Sequence, residues 1–99
     1  MGKSKFTRSR LEGVAKLLQK QVSLEEAVES LARIDAAFPD GQPYFQQRVI
    51  ELVADNPGEN CQLWQYDSKD QSWSELRGES GYAIVQNGDV IDFWMMMNN

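Results

Sequence analysis

The stretch from Gly81 to Met97 reads as a β-hairpin that is apolar on both faces, and this constrains the fold more than any other feature. Asn87-Gly88 is the dipeptide favoured by a two-residue type I′ turn, whose central residues both need positive φ. Closing the turn there pairs Gln86 with Asp89, Val85 with Val90, Ile84 with Ile91, Ala83 with Asp92 and Tyr82 with Phe93. One face then carries Tyr82, Ile84, Ile91, Phe93 and Met95. The other carries Ala83, Val85, Val90, Trp94 and Met96, with Asp92 as its main polar member. A strand pair wetted on one side alternates apolar with polar residues, so this ribbon is expected to be covered on both sides.

The material available for cover is limited. Ninety-nine residues are expected to form one domain, residues 1–99, with one modest core. Within it, 1–8 reads as a flexible basic arm, 10–56 as a helical half and 60–97 as a β half. In the helical half, Ser9-x-x-Glu12 has the capping-box pattern, and Leu11, Val14, Ala15, Leu18 and Val22 follow at helical spacing. The spacing predicts a first helix over 10–21. Ser23-x-x-Glu26 repeats the signal, and Leu24, Ala27, Val28, Leu31, Ile34 and Phe38 form a stripe that runs to about residue 37. Pro43 suits the first position of a third helix, striped by Phe45, Val49, Leu52 and Val53 and ended by Asn56-Pro57-Gly58.

From Asn60 the period becomes two. Strands are expected over 61–66 and 72–77, around the polar loop 67–71, before the final hairpin. The fold class is therefore α+β: three N-terminal helices packed on a C-terminal four-stranded antiparallel meander. Three helical stripes can cover one sheet face and each other, but hardly two faces. That shortfall makes Val85, Val90, Trp94 and Met96 the expected partner-binding set, because tryptophan and methionine give large, adaptable contact area.

Catalysis has little raw material. The chain contains no histidine, which removes the side chain most used for proton transfer near neutral pH. Asp89 and Asp92 are the carboxylates nearest to forming a pair, yet they are expected to diverge. No enzyme activity, cofactor or metal site is expected. Asp67-Ser68-Lys69-Asp70 lacks the glycine and terminal glutamate of a calcium loop. Cys61, the single cysteine, reads as a small apolar residue in a reducing compartment, hence a cytoplasmic protein. No apolar run approaches the roughly 20 residues that cross a bilayer.

Charge is divided unevenly. Residues 1–20 hold six cations against Glu12, whereas residues 21–99 hold four cations and fourteen acids. An acidic body repels nucleic acid, while a basic arm can touch phosphate. The stretch Leu17 to Ala27, with Ser23-Leu24-Glu25-Glu26-Ala27, resembles the opening of helix-turn-helix domains, which implies DNA binding. That family places a recognition helix soon after. Here the third helix has Arg48 as its only cation beside Glu51 and Asp55, a poor match to phosphates, so nucleic acid is not the expected partner. Tyr66 and Trp73 also resemble the Tyr-x6-Trp spacing of kelch propeller blades, but that family needs several blades of about 50 residues.

The functional expectation is a small acidic protein-interaction module, self-associating as a homodimer or binding a protein partner through its C-terminal sheet. Two alternatives stand beside it. One is a small-ligand domain with a pocket between helices and sheet lined by Trp64, Tyr66 and Tyr82. The other is a nucleic-acid-associated protein using residues 3–20.

Overall fold

The computed structural model describes residues 6–38, 40, 42–67 and 79–98. The elements run α1 (Arg8–Ala15), β1 (Leu18–Val22), α2 (Leu24–Asp35), α3 (Tyr44–Ala54), β2 (Cys61–Asp67), β3 (Glu79–Gln86) and β4 (Asp89–Asn98). The class is α+β with one four-stranded antiparallel sheet in the order β1-β2-β3-β4. Helices and strands are interleaved, which corrects the expected order of three helices followed by four strands. None of the described helices is long and apolar enough to cross a membrane.

The interleaving comes from residues 18–22. The helical spacing of Leu18 and Val22 is real, but α1 ends at Ala15 and the chain pairs with β2 instead. Lys20, Gln21 and Val22 face Gln65, Trp64 and Leu63, with an irregularity after Leu18. Leu17 O accepts the Asp67 N–H at 3.0 Å, and Gln19 Nε2 donates to Asp67 O at 3.3 Å. Pairing an otherwise open strand of the sheet outweighs the small difference in local propensity. The expected strand over 72–77 lies outside the described residues, and β2 pairs directly with β3.

Helix ends follow local chemistry. The α1 cap is Thr7 rather than Ser9: its side chain accepts the Arg10 N–H at 3.2 Å. Ser23 and Glu26 form the anticipated capping box on α2, with bonds of 3.0 and 2.9 Å. Pro43 sits one residue before the first turn of α3 and offers no capping side chain. Asp35, 5 % exposed, takes over that task from the end of α2. It accepts the Phe45 and Gln46 N–H groups at 2.9 and 3.0 Å.

The sheet is covered on both faces by its own chain. On one face α2 and α3 pack Ala27, Leu31, Val49 and Leu52 against Leu63, Tyr82 and Ile84. On the other, Val14 of α1 joins Tyr66, Ala83, Val85, Val90 and Phe93, with Phe6, Leu11, Leu17 and Leu18 at the margin. The expected shortfall of cover is thereby corrected. A count of helical stripes leaves out Phe6 and Leu17 and assigns Leu18 to a helix, yet all three shield the second face from outside any helix.

Candidate functional site

The final hairpin closes as its turn dictates. Asn87 and Gly88 have φ of 54° and 88°, and Gln86 faces Asp89 while Val85 faces Val90. Beyond that pair the register slips. Ile84 faces Asp92, Ala83 faces Phe93 and Tyr82 faces Trp94, so Ile91 is an extra residue on β4. A bulge of one residue exchanges the faces of the side chains beyond it, here as far as a second irregularity at Met96, where Gly81 faces Met95 and Ser80 faces Met97.

The exchange redistributes the four residues expected to form one surface. Val85 and Val90 lie together beneath α1, 5 % and 7 % exposed. Trp94 and Met96 lie on the opposite face, packed against the α2–α3 side. Trp94 stacks on Tyr82 with ring centroids 6.3 Å apart and meets Phe45 edge-on at 5.7 Å. Phe93 moves the other way, stacking on Phe6 at 4.0 Å. The single-face arrangement of Val85, Val90, Trp94 and Met96 is therefore corrected, and the bulge is the reason.

The same geometry disposes of the aromatic pocket. Tyr66 and Tyr82 are buried on opposite faces, so Trp64, Tyr66 and Tyr82 enclose no common cavity. Tyr66 OH donates to Glu79 Oε2 at 3.1 Å, and Arg10 Nη2 donates to the same oxygen. Burial, reinforced by Glu79, raises the Tyr66 pKa well above the phenol range. A tyrosine kept protonated serves as a hydrogen-bond donor rather than a base. Arg10 lies 4.9 Å over the Phe93 ring, so this cluster seats α1 on the sheet. The turn-helix resemblance loses its first helix to β1. Among the described residues, no three histidine, cysteine or acidic side chains converge to hold a metal ion.

What remains open are the two edges of the sheet. The strand order leaves the outer sides of β1 and β4 without a neighbouring strand among the described residues, and the β4 edge borders a groove. Trp94 O and Met96 N both lie close to Gly81 on β3, so Met95 between them turns its own N–H and C=O outward. A groove of about 190 Å³ follows this edge, lined by Asp92, Phe93, Trp94 and Met95 together with Phe6, Leu52 and charged residues of α3. Side chains of consecutive strand residues alternate between faces. Four in a row can border one groove only where it runs along the strand's edge.

No protein-family model, curated protein or solved structure matches the chain.

The groove's two walls differ in chemistry. On the α3 side stand Arg48, Glu51 and Asp55, with Arg48 paired to Glu51 at 3.8 Å. Asp92 is anchored: Oδ2 accepts from Asn56 Nδ2 at 3.0 Å and Oδ1 from the Phe93 N–H at 2.9 Å. On the other side Phe6 supplies an aromatic ring, and Met95 is 39 % exposed. From the sequence, Phe6 falls in a flexible arm, and Asp55 counts only as an acid that disfavours phosphate. A lone aromatic within a basic segment was the one available signal for Phe6.

Proposed function

We propose that this protein is an interaction module that binds an extended segment of another polypeptide along the free edge of β4. The observation that carries the reading is the sharing of one groove by Asp92, Phe93, Trp94 and Met95. Both sheet faces are already packed against the chain's own helices, which leaves the two edges, β1 and β4, available to a partner, and this groove lies on β4. An unpaired edge offers main-chain donors and acceptors to an added strand, and flanking side chains supply selectivity. The absence of histidine favours binding over catalysis. A cytoplasmic setting goes with this reading, since the single half-buried Cys61 suits a reducing compartment.

Affinity capture from the native host with three forms of the full chain tests it. Met95→Lys places a charge at the edge, whereas Tyr44→Lys alters an exposed residue of α3 that does not line the groove. The expected result is a partner retained by the parent and by Tyr44→Lys, lost with Met95→Lys, and slowing Met95 amide exchange when added back. Equal retention by all three, or no partner at all, contradicts the reading.

A further inference from the structure

We propose that the segment bound along β4 is basic, presenting lysine or arginine at alternate positions toward α3 and apolar side chains toward Phe6. This rests on the edge reading above and adds the chemistry of the partner. An added strand turns successive side chains to opposite sides, so one set would meet each wall of the groove. The α3 wall and the strand contribute three acids, Glu51, Asp55 and Asp92, against one cation, Arg48. Arg48 pairs with Glu51, and Asp92 is held by Asn56 and the Phe93 N–H. Asp55 forms no ion pair among the described residues and stands as the acid left to receive a cation. The opposite wall, with Phe6 and Met95, is apolar.

A second copy of the chain fits this groove poorly. Antiparallel pairing of β4 with its own copy relates the two chains by a two-fold axis across the sheet. That axis sets α3 opposite α3, acids facing acids, which is the arrangement complementary interfaces avoid. The whole chain, with a net charge of −5, also attracts a basic segment over longer range.

Acetylated and amidated eight-residue peptides alternating Val with Lys, Gln or Glu test the inference on the full chain. A fourth peptide keeps the Val-Lys sequence but carries N-methyl groups on alternate amides, which removes its ladder donors. Binding is followed by amide exchange along β4 and by titration at two salt concentrations. The expected result is that the Lys peptide slows exchange at Met95 and binds at least about tenfold more tightly than the Glu peptide. N-methylation abolishes that protection, and Asp55→Lys weakens the Lys peptide by about fivefold or more. Asp55 follows the last turn of α3, where a cation suits the helix dipole, so this variant keeps the fold. Three outcomes overturn the proposal. Equal protection by all three side-chain series refutes the basic preference and leaves the edge reading standing. Absence of β4 protection with any peptide refutes both. A doubling of molar mass with concentration, with Met95 protected without peptide, makes the occupant a second copy.

Discussion

The carboxylate of Asp35 receives the backbone N–H of Phe45 at 2.9 Å, joining the end of α2 to the start of α3. A second bond, from Gln46 N–H at 3.0 Å, uses its other oxygen. Pro43 supplies no side-chain cap, so these two donors depend on Asp35. Asp35→Ala leaves both amides without their acceptor in a partly buried site and is expected to cost about 1–2 kcal/mol. Asp35→Asn keeps one acceptor and should cost about half as much. Urea unfolding of the two variants measures both.

Gly81 admits no side chain. A Cβ placed on it would lie 2.0 Å from Trp94 O and 2.9 Å from Met96 N, both main-chain atoms of β4. Gly81→Ala must push the two strands apart at the Met95 position and is expected to destabilise by about 3 kcal/mol. Gly13 offers the contrast, since nothing lies within 4 Å of its would-be Cβ inside α1. Gly13→Ala is expected to stabilise by up to about 1 kcal/mol through helix propensity alone. Thermal or urea melts of the pair should therefore move in opposite directions.

Tyr66 and Tyr82 make stability fall in alkali. Burial raises both phenol pKa values in the folded protein, and Glu79 adds to the effect at Tyr66. A raised folded-state value means that the unfolded chain releases its proton first. The stabilisation is complete below the ordinary tyrosine pKa of about 10 and declines as pH rises above it. Each of the two residues contributes a slope of up to about 1.4 kcal/mol per pH unit there. Stability measured between pH 9 and 11 should fall less steeply in Tyr66→Phe than in the parent.

Arg10 and Glu79 hold α1 against the second sheet face. With Arg10→Ala, Glu79 loses its bond to the Arg10 guanidinium and the Phe93 ring loses the same group above it. Arg10 is partly exposed, so solvent screening keeps the expected loss to about 1–2 kcal/mol. A double-mutant cycle with Glu79→Gln should return a coupling that shrinks in high salt.

The legible parts of this fold were those written in local chemistry. Asn87-Gly88 gave the turn, Ser23 and Glu26 gave the capping box, and the stripes of α2 and α3 gave two helices within a few residues. The misread parts depend on distant partners. Leu18 and Val22 fit a helix as well as a strand, and β2 decided between them. Nothing in Asp89 to Met96 marks Ile91 as the extra residue, because Val90, Ile91, Phe93 and Trp94 suit either face. That one bulge moved Phe93 beneath α1 and Trp94 beneath α3, and it dispersed the anticipated surface. Val85 and Val90 belong to the interior, while the edge that passes Met95 comes into view only with the register.

The most direct test is the exchange rate of the Met95 backbone amide, followed by NMR in the isolated full chain and again with the partner bound. Outward orientation on an unpaired edge predicts fast exchange alone and marked slowing in the complex, with Ala83 and Tyr82 already slow in both. A Met95 amide equally protected in the isolated monomer, or unchanged when the partner binds, contradicts docking along β4.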